Sequence, residues 1–264
     1  MIILITGITS GFGRAMAESL SKEGHAVYGT HRHAKEFLPG VHYIQAEVTD
    51  DASVEAAVNE VLKQEGRIDV FINNAGMGFG GPLECCSIEQ ARRQMDVNWL
   101  GMVRFLHHVV PVMRKQRSGK ILCISSIGGL IGLPFQGLYS ASKFAIEGYC
   151  EALRLELRDF CVKVIVIEPG DFHTNFTSSR QCVDPASVAN YYPKYARSLA
   201  GFQNDETNGM GPDVLAKKVV RIVSKKNPRN SYVISNFIEH LAVFAKKFLP
   251  SKLFAVLVAW FYKV

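Results

Sequence analysis

Residues 2–20 read "IILITGITSGFGRAMAESL". A short apolar run rich in β-branched side chains gives way to three glycines and then to a mixed stretch with helical spacing. Such a run suits a strand covered on both faces, and the change of period marks a strand, a turn and a helix. Gly7, Gly11 and Gly13 fall at the turn. Glycine there lets the backbone approach a pyrophosphate, and the following helix N-terminus offers free amides and the positive end of its dipole. A glycine triplet alone is a weak signal; between a first strand and a first helix it is a strong one.

The same unit repeats outward from this stretch. Strands are expected at "IILIT", at "HAVYGT" from 25, "VHYIQAEV" from 41, "DVFINN" from 69, "KILCIS" from 120, "VKVIVIE" from 162 and "SYVIS" from 231. Helices are expected over 12–23, 51–65, 88–116, 139–160 and 212–226. Alternation of this kind predicts one doubly wound α/β domain over 1–264, with a parallel sheet of about seven strands and helices on both faces. Ligands of such a sheet lie beyond the carboxyl ends of its strands. Residues 171–211 break the rhythm with a polar, aromatic, glycine-containing run, expected to be a lid or specificity loop over the substrate. Residues 236–264 are expected to form an apolar helical tail with interspersed lysines. Its longest uncharged run, about ten residues, is well short of the ~20 that span a bilayer. Packing against the protein or a partner subunit is expected first, and peripheral membrane contact second.

The 264 residues are 48% hydrophobic and 20% charged, which places the chain among folded globular proteins. Its net charge of +6 comes without basic and aromatic interleaving or zinc-finger spacing, so no nucleic-acid partner is expected. The six cysteines include no CxxC pair and are expected to be buried thiols; no metal site is expected. "MIILITG" lacks the features of a secretory signal, and a cytoplasmic, reducing location is the expectation.

Two further features concern chemistry. At the tip of the second strand, where a free ribose hydroxyl meets Asp or Glu and a 2′-phosphate calls for Arg, the chain reads "THRH" with Arg32. Arg pairs with phosphate through a planar fork of donors, so NADP(H) is expected over NAD(H), with Ser10 and Arg32 near the phosphate; NAD(H) stays open. Tyr139 and Lys143 in "YSASK" stand four apart, which puts a phenol and a cation on one helix face. A free phenol titrates near ~10, and a neighbouring cation favours its ionised form, so Lys143 is expected to lower the pKa of Tyr139.

With these motifs in order, the sequence resembles the short-chain dehydrogenase/reductase family over nearly all of residues 1–175, nearest the steroid and retinol dehydrogenase branch. "TGITSGFG" matches TGxxxGxG, "NNAG" spans 73–76, Asn98 lies in "DVNWLG", Ser126 precedes Tyr139 by thirteen positions, and "EPGDFHT" follows the sixth strand. The resemblance implies a Rossmann-type fold and the tetrad Asn98, Ser126, Tyr139 and Lys143. Tyr139 would be the acid in reduction and the base in oxidation; Ser126 would hold the reacting oxygen. Lys143 would bind the nicotinamide ribose, and Asn98 a water leading from Lys143 to solvent. It further implies cofactor contacts from Gly7, Ser10, Gly11, Phe12 and Gly13, from Asn74, Ala75 and Gly76, and from Pro169, Gly170, Phe172 and Thr174. Glu47 stands where many relatives carry Asp beside the adenine, and with Val48 completes the set. The expected reaction interconverts a secondary alcohol and a ketone of steroid- or retinoid-like character, with Met77, Phe79, Leu133, Pro134 and Phe135 as candidates for an apolar wall. Small keto, acyl or sugar substrates are the alternative, as is a non-catalytic NADP(H) sensor, though all four tetrad positions are kept. A homodimer or homotetramer through the helices near 100–116 and 139–160 is implied as well.

Overall fold

The computed structural model describes residues 1–33, 36–183, 188 and 190–264. Seven parallel strands make the main sheet: β1 (Ile2–Thr6), β2 (Ala26–His31), β3 (Val41–Gln45), β4 (Val70–Asn73), β5 (Gly119–Ile124), β6 (Val162–Pro169) and β7 (Ser231–Ile234), in the order β3-β2-β1-β4-β5-β6-β7. The architecture is doubly wound and Rossmann-type.

Alternate side chains along each strand feed two different cores, which is why these strands read as continuous apolar runs rather than as alternating ones. Leu4, Phe71, Ile121, Cys123, Val164 and Val166 point to one face, where α2 (Asp51–Glu65), α4 (Gly101–Gln116) and α5 (Gly137–Glu156) cover them. Ile3, Ile5, Ile72, Leu122, Ile165 and Ile167 point to the other, beneath α1 (Gly11–Lys22) and α8 (Pro212–Ser224). Burying each such side chain contributes roughly 1.5–3 kcal/mol, so the central strands anchor the fold.

Strand order reverses between β1 and β4, the switch point at which a crevice opens above the carboxyl ends. Helix boundaries follow local chemistry. Asp50 caps α2 by accepting from the Ala52 and Ser53 amides, and Gly66 ends it in the left-handed conformation. Ser87 and Gln90 form a capping box at the start of α3 (Ile88–Met95).

Several expectations are corrected. The long helix expected over 88–116 is α3 joined to α4 through a π-helical turn, Asp96–Leu100, and that turn carries Asn98. β3 stops at Gln45 rather than continuing through Val48. The 171–211 segment is no plain loop: it holds α6 (Phe176–Ser179) and α7 (Tyr192–Thr207), and its residues 184–187 and 189 lie outside the described residues. Gln181–Cys182 pairs with Phe79–Gly80 as a two-residue strand. The helical tail expected over 236–264 is made of two helices, α9 (Phe237–Phe248) and α10 (Ser251–Tyr262). Cys123 and Cys150 are buried, whereas Cys161 and Cys182 are exposed, against the expectation of buried thiols throughout. Among the described residues, no helix is long and apolar enough to cross a membrane.

Candidate active site

A cleft of about 450 Å³ lies over the carboxyl ends of β1, β2, β4, β5 and β6. Its first wall is the turn after β1. Gly7 has φ +72, and a Cβ there would come within 3.1 Å of the Ala75 backbone. At Gly13 a Cβ would lie 2.0 Å from the Gly7 carbonyl oxygen, so only glycine lets the first turn of α1 sit this close to the strand. The Thr6 hydroxyl accepts the amides of Asn74 and Ala75, and the Asn74 side chain donates to the carbonyls of Thr6 and Gly7, each at 2.9 Å. These bonds lock the ends of β1 and β4 into one floor. The Phe12 ring meets Phe172 edge to face at 4.9 Å and joins the glycine turn to the segment after β6.

Gly7, Ser10, Gly11, Phe12, Arg32, Glu47, Val48, Asn74, Ala75, Gly76, Pro169, Gly170, Phe172 and Thr174 all line the cleft. Gly13 packs beneath it. Arg32 is exposed at the end of β2. On the first turn of α1, Arg14 reaches the segment after β2 and pairs with Glu36 at 3.1 Å, which leaves the acid at that corner already engaged by a cation. An elongated dinucleotide fits this lining, with a backbone that any glycine-to-side-chain change would obstruct at the turn and a basic corner at one end.

Ser126, Tyr139 and Lys143 meet at the other end. Ser126 lies two residues beyond β5; its hydroxyl accepts the Gly128 amide at 3.0 Å and donates to the Pro169 carbonyl at 3.4 Å. Gly128 also leaves room for the Tyr139 ring, since a Cβ there would lie 3.2 Å from it. One turn along α5 from Tyr139, Lys143 is 6% exposed; its ammonium donates to the Ile124 carbonyl at 2.8 Å and lies 5.6 Å from the centre of the Tyr139 ring.

The electrostatics differ from the expectation. Burial pushes the Tyr139 phenol up to about 12, with the Ser126 hydroxyl acting against it and Glu206 adding to it. Burial likewise lowers Lys143 to about 8, against the carboxylate of Glu147. The expected net lowering of Tyr139 is not what results: desolvation of the phenol outweighs the Ser126 hydroxyl and the Arg180 cation that favour its ionised form.

Asn98 stands one layer back and does not line the cleft. Its Oδ1 accepts the Met77 amide at 2.8 Å, and its Nδ2 donates to the Met77 carbonyl and the Ser142 hydroxyl, each at 3.0 Å. It therefore pins Met77 and the helix that carries Tyr139, and no bond joins it to Lys143. Of the apolar candidates, Met77 and Leu133 line the cleft. Phe79 and Phe135 pack instead in a separate cluster with Val183 and Tyr195, because the pairing of Phe79–Gly80 with Gln181–Cys182 turns them away.

Other groups at the cleft escaped the sequence reading. The centre of the Phe176 ring, on α6, lies 5.5 Å from that of Tyr139, so the 171–211 segment touches the Tyr139 end of the cleft directly. Gln136, Asp171, Phe202, Glu206 and Tyr262 add to the lining. Phe202 and Tyr262 stack at 4.7 Å, which brings the last helix of the tail into the cleft wall. Burial and the neighbouring Glu239 raise the Asp171 carboxyl to about 8. Asp171 was legible as part of "EPGDFHT"; Gln136 stands between Ser126 and Tyr139 but in no motif, and Phe176, Phe202, Glu206 and Tyr262 come from positions beyond the last motif.

A model of the short chain dehydrogenase family matches residues 1–182. The chain is 43% identical over 264 residues to a 3-ketodihydrosphingosine reductase of Bacteroides thetaiotaomicron, covering 100% of this chain and 98% of that one. It is 34% identical over 252 residues to 17-beta-hydroxysteroid dehydrogenase type 1 of Homo sapiens, covering 88% of this chain and 76% of that one. A solved short-chain dehydrogenase from Streptomyces avermitilis superposes with a TM-score of 0.86 at 26% identity, over 98% of this chain and 96% of that one.

Proposed function

The chain belongs to the short-chain dehydrogenase/reductase family and is an alcohol–ketone oxidoreductase using NAD(H) or NADP(H); from that premise we propose that it is an NADP(H)-dependent reductase of a lipophilic ketone, with Tyr139 as its acid. The observation that carries this reading is the meeting of Ser126, Tyr139 and Lys143 at one end of a cleft whose other end is a glycine turn with Arg32. The substrate class we favour is a long-chain keto lipid of the kind named for the Bacteroides relative, since similarity to that relative runs the full chain and similarity to the steroid dehydrogenase does not.

When bound, the nicotinamide supplies or accepts the hydride. The glycine turn with Ser10, Asn74, Ala75 and Gly76 would hold the dinucleotide, with Glu47 and Val48 toward the adenine and Pro169, Gly170, Phe172 and Thr174 toward the nicotinamide. Arg32 would pair with the 2′-phosphate. In reduction the Tyr139 hydroxyl gives its proton to the substrate oxygen while the Ser126 hydroxyl donates a hydrogen bond to that oxygen. The ammonium of Lys143 stabilises the phenolate left behind. Asn98 acts as a positioning residue, holding Met77 and α5 through its three hydrogen bonds. In the same reading residues 1–264 form one domain, 171–211 cover the substrate, the protein is cytoplasmic with peripheral membrane contact through 236–264, and it forms a homodimer or homotetramer through α4 and α5.

A panel of long-chain 3-keto lipids, steroids, retinoids and short ketones, followed by NADPH absorbance, tests the substrate class. Tyr139→Phe should lower turnover about 10²–10⁴-fold. Arg32→Asp should weaken NADPH far more than NADH, and equal effects on the two would sink the NADP(H) assignment.

A further inference from the structure

The two tail helices are apolar on both their inner and their outer faces. Their inner faces pack on one cluster: Val243 of α9 and Phe254, Val258 and Tyr262 of α10 meet Ile131, Leu133 and Phe202. Both helices turn away from the same cluster on their outer sides. There α9 exposes Phe237, Leu241, Phe244 and Phe248, spaced four, three and four apart, a single stripe in which Phe237 is 82% exposed. On α10 the exposed set is Leu253, Val256, Leu257, Trp260 and Phe261, again one stripe, with Trp260 77% exposed. Outward stripes of this size on consecutive helices are a surface that water does not favour, and they mark an interaction face.

Charge identifies the occupant. The tail from Phe237 to Val264 carries Lys246, Lys247, Lys252 and Lys263 and a single acid, Glu239. That acid is buried, accepting the amides of Asp171 and Asn236. Lys247, Lys252 and Lys263 are exposed, and exposed Arg197 of α7 shares a hollow with Trp260 and Lys263. Every exposed charged side chain on the two helices and at Lys263 is therefore a cation. An identical copy would bring like charges together, whereas anionic headgroups complement lysines around a stripe of Leu, Val, Phe and Trp. Each helix, at 12 residues, is about 18 Å long and too short to span a bilayer core of ~30 Å.

Resting on the keto-lipid reading above, we propose that the outer face of α9 and α10 lies in the headgroup region of an anionic bilayer, so that the cleft opens at the lipid surface beside Tyr262. Tyr262 joins the two roles. It lines the cleft and stacks on Phe202, while its neighbour Phe261, in ring contact with it at 5.0 Å, belongs to the outward stripe. A lipid substrate leaving the bilayer then reaches Tyr139 past α10 without crossing water.

Co-sedimentation of the full chain with vesicles of phosphatidylcholine alone, and with about one third phosphatidylserine added, tests the surface independently of catalysis. Binding should be strong only to the anionic vesicles and should weaken with salt. Lys247→Gln with Lys252→Gln should weaken it about tenfold or more. Phe244→Ser with Leu257→Ser and Trp260→Ser should leave the protein in the supernatant, still reducing a water-soluble ketone at the parent rate but losing the vesicle-borne lipid. In a Trp99→Phe background, Trp260 emission should shift to the blue on anionic vesicles. Equal binding to both vesicles would overturn the anionic-headgroup assignment. No binding to either, or binding unchanged in the triple serine variant, would overturn the docking face; an oligomer that dissociates in that variant would assign the face to a second copy.

Discussion

At Tyr139 and Lys143 burial acts on two groups in opposite directions with respect to charge. It holds the phenol protonated up to about 12 and lowers the ammonium to about 8. The form suited to ketone reduction, a neutral phenol beside a charged lysine, therefore predominates below about pH 8. Above that value Lys143 loses its proton first, so reduction should fall about tenfold per pH unit on the alkaline side. In Lys143→Arg the cation persists, and the alkaline limb of a pH–rate profile should move upward in whatever activity remains. A limb that stays in place would show that another group titrates there. The four-residue spacing of this pair is visible in the sequence because helical geometry is local. The sign of the phenol's shift is not, because it depends on what the rest of the chain packs around the ring.

Among the elements, α9 shows how a local device acquires a distant role. Asn236 and Glu239 form a capping box, with Asn236 Oδ1 accepting the Glu239 amide and Glu239 Oε2 accepting the Asn236 amide, each at 2.9 Å. The other oxygen of Glu239 accepts the Asp171 amide at 2.7 Å, and a Cβ on Gly170 would lie 2.2 Å from this carboxylate. One side chain thus starts α9 and pegs the tail to the segment that follows β6. Glu239→Ala removes half of the cap and leaves the Asp171 amide without its partner, which should cost about 1–3 kcal/mol in urea unfolding. Limited proteolysis should cut within the tail faster than in the parent; unchanged cutting would mean that apolar packing alone holds the hairpin. The capping-box spacing is readable from residues three apart. Its second partner, 68 positions away, is not.

For the molecule as a whole, buried carboxyls make stability depend on pH. Glu168 sits in β6 at 2% exposure, and burial, with Glu147 adding to it, raises its carboxyl to about 7. A carboxyl whose folded pKa lies above its unfolded value is stabilising in full below about 4.5, and that contribution is lost as the pH rises through about 7. Asp171, raised to about 8, has the same sign. Glu168→Gln should therefore match the parent near pH 5 and exceed its stability by about 1–3 kcal/mol near pH 8. The difference between the two urea curves isolates this group from everything the two proteins share. A pH-independent difference would place the ionised form of Glu168 in a better-solvated site than its burial implies.

The βα rhythm, the parallel sheet, the glycine turn and the Tyr139–Lys143 pair are legible in the order of residues alone. Each rests on interactions within a few residues or on the period with which apolar side chains recur. Long-range packing places Asn98 behind the wall and not in it, turns Phe79 and Phe135 from the cleft while bringing Phe176, Phe202 and Tyr262 to it, and leaves the tail with an apolar face outward. Those outcomes depend on which distant segments share a space and on which surfaces lose water when they do. Neither the spacing nor the composition of any one segment contains that information.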